Sequence, residues 1–391
     1  MIKVYLDWNC ITHCKDSLVE LKELLIKRYN NVFICPFSEA HIRDVLTKSN
    51  CGSEYYEQDL DLLTQISGGN MLLLKGNTIK LYKVNPREYI SKEGDVLDYI
   101  QNEFTFPYDT IRQSLKLALN DIDRNRISKE DAPQNVIPLI DKMVRRDSNV
   151  NTDINSILER SNTLGNNTLE TKIKQVYYVL DMLGYKSEDK RKSFANIDTD
   201  AQHIALASLC DYLITNDKKM RDKANAIYSH MHCVTKVMDS QAFIDEMPIV
   251  VKRCYNLELI PNAMATKGTP TIKEDGGAVL KALDYPLWGT FKYCYNAKAL
   301  NSKLPENMAV FLPDNQFMFY DEIRPLAIMT SLLLPESQRK LHIENYIQSY
   351  VQSKPIEKIA FIIDAPKYKY NFVLMAIDGF PALQVTCESH S

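Results

Sequence analysis

Four aspartates set the chemistry this sequence could perform. Asp7 closes the apolar run "IKVYL" and Asp217 follows "YLITN", so each sits where a short strand hands over to a loop. Asp44 lies in "SEAHIRDVL" and Asp200 in "DTDAQHIALA", both with apolar residues at helical spacing. Any one of them alone would be an ordinary turn or helix-start residue. Four carboxylates aimed at one crevice would repel one another and raise each other's pKa unless a cation neutralised them. Carboxylate oxygens are hard ligands suited to Mg2+ or Mn2+, which bridge to substrate phosphates. Such ions lower the pKa of a bound water and stabilise the attacking and leaving oxygens in phosphodiester hydrolysis. Asp7, Asp44, Asp200 and Asp217 are therefore the candidate metal ligands and catalytic acids. Glu39, directly after the expected helix N-cap Ser38, is the substitute candidate for Asp44. Asp198 rivals Asp200, since either could cap the same helix, and Asp200 is favoured for its spacing from the apolar face.

Other groups compete with these acids for a chemical role. Cys10, His13 and Cys14 suggest zinc, as does "HMHC" from His230 to Cys233, but no second pair stands at finger or ribbon spacing. His41 and His203 read as satisfied core or rim histidines, and Asp211 as a solvated turn residue. Lys190, Arg191 and Lys192 precede the acid-bearing helix; Lys218, Lys219, Arg221 and Lys223 follow Asp217. A solvated charged face is the usual meaning of such runs. Their place at the mouth of the crevice also makes them candidates for phosphate contacts that hold a nucleic-acid backbone without reading its sequence. "KYKYNF", residues 367–372, would put aromatics on one face of a strand and cations on the other, which suits base stacking. A half-buried edge strand explains it as simply and ranks first.

The elements that must position the acids follow from periodicity. Ile2–Leu6, a helix in "SLVELKELLIKR" and Val32–Cys35 make a β-α-β opening, followed by a helix from Ser38 and another from about Glu54 to Ile66. "MLLLKGNTIKLY" reads as a hairpin turning at Gly76-Asn77. From about 86 to 190 the pattern is mostly helical and forms an insertion. A helix through Asp200, a strand at Tyr212–Ile214, a helix, a strand near Cys233–Val237 and a final helix then resume the alternation of a parallel sheet. Residues 251–277 form a linker, ending in "NAMATKGTPTIKEDGG". Beyond it, 278–391 reads as a smaller α+β domain: a hairpin in "MAVFLPDNQFMFY", a helix in "ESQRKLHIENYIQSYV", and strands in "KIAFIID" and "YNFVLMAI".

With 391 residues and 45% hydrophobic content, the chain can bury more than one core. A net charge of −3 excludes the strongly basic surface of a dedicated nucleic-acid binder, so any polyanion must be held locally. Nine scattered cysteines read as reduced thiols. No basic leader precedes an apolar stretch and no run reaches about 18 apolar residues, so the expectation is a cytoplasmic protein without membrane contact.

The four acids also carry a family resemblance. "VYLDWN" resembles the first motif of PIN-domain nucleases, and "PFSEAHIRDV" is similar to the second, in which a Ser-led helix carries an acid before an aliphatic residue. "DAQHIALA" and "YLITND" resemble the third and fourth motifs, and "HCVTKVMDSQAFIDEM" resembles the closing strand and helix. The match covers 1–85 and 196–247. It departs from the family in having Asp rather than Glu at 44, so that Asp44 could reach metal only through water, and in the long insertion. The resemblance implies a PIN-like α/β domain over 1–250, a parallel sheet flanked by helices. It implies metal binding by the four aspartates, with Asn9 and Thr215 orienting them or the substrate phosphate. It further implies a Mg2+- or Mn2+-dependent endonuclease, RNA favoured over DNA, leaving 3′-hydroxyl and 5′-phosphate ends. The insertion and the C-terminal domain would select substrate or bind a protein partner, or a second copy of the chain. Two alternatives stand beside it: a haloacid-dehalogenase-like phosphatase, which needs an acid where Asn9 stands, and a non-catalytic nucleic-acid or protein binding module on the same scaffold.

Overall fold

The computed structural model describes residues 2–28, 32–48, 54–75, 78–102, 121–147, 168–187, 194–254, 256–257, 260–262, 274–275, 278–279, 281–287, 291–296, 307–313, 359–377 and 380–390. It is a mixed α/β protein of two compact units, Lys3–Asp245 and Glu246–Ser391, the latter taking in the first two residues of the chain.

In the first unit, β1 (Ile2–Leu6) is buried at every position, as a strand covered on both faces must be. A short helix α1 (Trp8–His13) follows Asp7 directly, and α2 (Val19–Glu23) runs into a π-helical turn at Leu24–Arg28. Then come β2 (Phe33–Ile34), β3 (Phe37–Ser38), α3 (Glu39–Lys48) and α4 (Glu54–Ser67). The expected hairpin is formed by β4 (Asn70–Lys75) and β5 (Thr78–Lys83), paired antiparallel, with its Gly76-Asn77 turn outside the described residues. Strand β3 joins β4 in parallel to complete a three-stranded sheet.

The insertion contributes α5 (Pro86–Asn102), which opens on a proline as a first helical turn allows, α6 (Asp121–Ser128), α7 (Pro133–Asp147) and α8 (Leu169–Met182). Thr168 caps α8 by accepting the Thr171 N–H. The alternation resumes with α9 (Phe194–Ala207), β6 (Tyr212–Ile214), α10 (Lys218–Met231), β7 (Lys236–Met238) and α11 (Ser240–Cys254). Helix α8 packs on α9, and α7 on α10, so the insertion lies as a helical layer against the helices that flank the acids.

The main sheet has the order β2-β1-β6-β7, with β1/β6 and β6/β7 parallel. Two boundaries differ from the sequence reading. Helix α9 begins at Phe194, so Asp198 and Asp200 lie inside it and neither is its N-cap. Phe194 packs against the Tyr178 ring at 5.5 Å and Ile197 is buried, which extends the apolar stripe a turn earlier. The strand expected near Cys233 starts at Lys236, because α10 closes on His232 in the left-handed region (φ 55) and Cys233 N–H still bonds back to Tyr228.

The second unit carries a six-stranded antiparallel sheet, ordered β10 (Lys281–Leu287), β11 (Phe291–Asn296), β12 (Met308–Pro313), β15 (Phe380–Ser389), β14 (Tyr368–Ile377), β13 (Ile359–Asp364), and a short pair β8 (Glu274–Asp275) and β9 (Ala278–Val279). "KIAFIID" and "YNFVLMAI" are strands as expected. The helix expected in "ESQRKLHIENYIQSYV" and the second half of the hairpin expected in "MAVFLPDNQFMFY" lie outside the described residues. "KYKYNF" corrects the sequence reading. Its strand β14 is internal rather than at the edge, and Tyr370 and Phe372 are buried with their rings stacked at 5.9 Å. These two rings are core, not a surface for bases. Among the described residues no helix is long and apolar enough to cross a membrane.

Candidate functional site

Strands β1 and β6 pair in parallel with Leu6 opposite Ile214. Since β2 lies on the other side of β1, the chain order reverses here, and in open parallel sheets such a switch point opens a crevice beyond the carboxyl ends of the strands. Asp7 N–H donates to the Ile214 carbonyl at 2.9 Å, carrying the pairing one step past the strand ends. The buried Thr215 hydroxyl donates to Asp7 Oδ2 at 2.9 Å and accepts the Asp217 N–H at 3.1 Å. One hydroxyl thus ties the two strand-end acids together.

The two acids differ in what their own helices ask of them. Asp7 occupies the N-cap position of α1 in extended conformation, yet its carboxylate makes no cap bond to that helix. Asp217 Oδ1 accepts the Lys219 and Met220 N–H groups at 2.7 and 3.2 Å and so caps α10. Between them, Asn216 Oδ1 accepts both the N–H and the hydroxyl of Ser240, each at 3.0 Å, which pins the loop to the start of α11. Arg221 Nη1 donates to the Thr215 carbonyl at 2.9 Å.

Asp44 is linked to β1 by a different route. Its Oδ2 lies 2.9 Å from His203 Nε2, and His203 Nδ1 lies 2.9 Å from the Tyr5 hydroxyl. Tyr5, two residues before Asp7, also meets Ser38 Oγ at 2.6 Å. His41 joins the group from α3: its Nδ1 accepts the Ser38 N–H at 3.0 Å and its Nε2 bonds to the Leu6 carbonyl at 2.8 Å. The His41 and His203 rings meet edge to face, 4.7 Å apart. Burial drives the Tyr5 phenol well above its ordinary pKa against the lowering effect of Ser38, and the charges of Asp7 and Asp44 add to the rise. Both histidines are fully buried and satisfied, as expected, but their link to Asp44 was not read from the sequence. A signal existed, because His41 lies three residues before Asp44 and His203 three after Asp200, which puts each on the same helical face as an acid.

Asp198 is committed elsewhere. Arg43 Nη1 and Lys174 Nζ approach it at 2.6 and 2.7 Å, and the Tyr178 hydroxyl donates to it. Burial works to raise its pKa, but Lys174, Tyr178 and Arg43 outweigh that and hold it below its ordinary value. Asp200 is half-buried on α9. Glu39 accepts the Tyr89 hydroxyl at 2.6 Å. Asn9 is exposed in the first turn of α1.

Of the basic residues, Lys218 is exposed, and Lys219 reaches back to the Ser187 carbonyl at 3.1 Å. Lys223 is not a phosphate contact: it is fully buried, 2.7 Å from Asp181 and 4.3 Å above the Tyr177 ring. Lys190, Arg191 and Lys192 lie outside the described residues. Asp211 is not simply solvated, since its carboxylate accepts the Lys3 N–H at 2.8 Å. Cys10 and Cys14 are buried free thiols, both pushed up chiefly by burial, Cys14 to about 12, while His13 is exposed.

Among the described residues, no three His, Cys, Asp or Glu side chains stand close enough to enclose a metal ion. Mg2+ does not require an all-protein cage; it is commonly held by one or two carboxylates with waters and substrate phosphates completing its shell. Two carboxylates at adjacent strand ends, one of them not spent on capping, fit that mode of binding. No protein-family model, characterised protein or solved structure matches the chain.

Proposed function

We propose that this protein is a divalent-metal-dependent endonuclease acting on phosphodiester bonds, RNA in preference to DNA, with a PIN-like N-terminal domain. One observation carries the reading. Asp7 and Asp217 stand at the carboxyl ends of neighbouring parallel strands at the switch point, joined through the hydroxyl of Thr215. Asp7 and Asp217 would hold the principal Mg2+ or Mn2+, with Asp44 and Asp200 completing the site or positioning the attacking water. When bound, the ion supplies a Lewis acid at the phosphate and a lowered pKa for water. Thr215 fixes the orientation of the Asp7 carboxylate. Asn9 and Lys218, both exposed, would meet the substrate backbone.

Labelled single-stranded RNA and DNA, incubated with the protein in Mn2+, Mg2+ or chelator, test the proposal. Cleavage is expected with either ion and not with chelator, and Asp7→Asn is expected to slow it by about 100-fold or more. Equal behaviour of wild type and Asp7→Asn under every metal condition would sink the nuclease. Turnover of small phosphomonoesters alone would point to a phosphatase with Asp7 as nucleophile.

A further inference from the structure

The polar chain behind Asp44 has a direction that can be read from its fixed ends. His41 Nδ1 accepts the backbone N–H of Ser38, so that nitrogen carries no hydrogen, and Nε2–H donates to the Leu6 carbonyl. His41 is therefore a neutral ring in one tautomer, clamping the start of α3 to the last residue before Asp7. At the other end, the Asp44 carboxylate accepts only, so His203 Nε2 carries the hydrogen between them. In the neutral ring His203 Nδ1 then accepts the Tyr5 O–H, and the Tyr5 oxygen takes the hydrogen of Ser38 Oγ. With His203 neutral the donors run one way, Ser38 to Tyr5 to His203 to Asp44, and Ser38 Oγ also lies 3.2 Å from His41 Nδ1.

Four elements are locked together by this chain: β1 through Tyr5, β3 through Ser38, α3 through Asp44, and α9 through His203. Tyr5, Ser38 and His203 are each fully buried and Asp44 nearly so, which shields these bonds from competing water. The position of Asp44 is thereby referred to the strand that carries Asp7, and not to its own helix alone. A carboxylate on a single methylene has little reach, so the orientation of its plane decides what it can face.

We infer that His203 is a positioning residue: its Nε2–H holds the Asp44 carboxylate in one orientation relative to the end of β1, and Tyr5 and Ser38 hold His203 to that task. This rests on the metal-site reading above. A purely structural network would stabilise the core without affecting what Asp44 binds, and the two cases separate on metal affinity.

The test is calorimetric titration of the full chain with Mn2+, without nucleic acid, alongside urea unfolding. His203→Leu keeps the bulk and removes the donor, and is expected to weaken Mn2+ binding about 10- to 100-fold, the usual cost of losing the partner of a metal ligand. His203→Gln places an amide N–H near the lost Nε2–H and is expected to restore most of that affinity. In the His203→Leu background, Asp44→Asn should cost little more, because the two act as one unit. Wild-type affinity in folded His203→Leu overturns the inference and leaves the nuclease proposal standing, as does a His203→Gln as impaired as the leucine variant. A wild type that binds no Mn2+ overturns the inference, and the nuclease proposal falls with it only if Mn2+ also fails to support cleavage. Should His203→Leu fail to fold, Tyr5→Phe decides: it deletes a single oxygen, and unchanged Mn2+ affinity in that folded variant overturns the inference.

Discussion

Helices α3 and α9 are tied together twice, by neighbouring residues and with opposite chemistry. Asp44 bonds His203 directly, at the end of a hydrogen-bonded chain that runs on through Tyr5 to Ser38, whereas Arg43 reaches Asp198 as part of a charged group with Lys174 and Tyr178. The first tie is closed, with donors matched to acceptors along its length. The second is not: Arg43 Nε and Glu170 Oε2 are buried with no hydrogen-bond partner. Hydrogen-bond chains fix geometry, because each bond has a direction. Charge groups tolerate looser geometry but carry a desolvation cost that mispairing exposes. The tie nearer the strand-end acids is the directional one.

Removing charges should break the contrast most sharply where burial is deepest. Lys223→Met leaves Asp181 charged at a fully buried site and should cost about 3–5 kcal/mol in urea unfolding, most of it recovered by adding Asp181→Leu. Asp198→Asn should cost less, about 1–3 kcal/mol, since Arg43 and Lys174 keep some exposure to water. Its pH signature is specific. The folded carboxyl is held below its ordinary 3.8, so its stabilisation is present above 3.8 and is lost as pH falls through the lower folded value. Asp198→Asn should remove that acid-limb slope from the unfolding curve, and His203→Gln should retain it.

The smallest change should be a gain. Burial raises the Glu170 carboxyl above its ordinary 4.5, with Glu39 and Asp198 adding to the rise against Lys174 and Arg43. The folded state then binds the proton more tightly than the unfolded chain, and stability declines as pH rises from 4.5 through the folded value. Glu170→Gln should stabilise by about 0.5–1 kcal/mol at neutral pH. The gain should vanish below 4.5; a constant gain across the range would mean that packing, not charge, was responsible.

The parts of this molecule legible in its sequence are those set by neighbours along the chain. Ile2–Leu6 and Tyr212–Ile214 read as strands because apolar runs stop abruptly at polar residues, and the same stops marked Asp7, Thr215 and Asp217. The start of α9 lies a turn earlier than its sequence pattern suggests because Phe194 packs on Tyr178 of α8, a contact between residues in different elements. Spacing from the apolar face favours Asp200 over Asp198, but nothing local announces that Asp198 is held by Arg43 and Lys174. His41 and His203 were set aside correctly as satisfied, but a lone histidine does not name its partner. "KYKYNF" alternates as an edge or an internal strand would, and its place was decided by β13 and β15 on either side.

The lateral borders of the β2-β1-β6-β7 sheet are very short. One border strand has two residues, Phe33–Ile34, and the other three, Lys236–Met238. A stray extended chain arriving at either side would find only two or three rungs to pair with, too few to hold it. The five-residue, fully buried strand β1 lies between β2 and β6. Short border strands are one way an α/β layer resists joining its neighbours through its flanks.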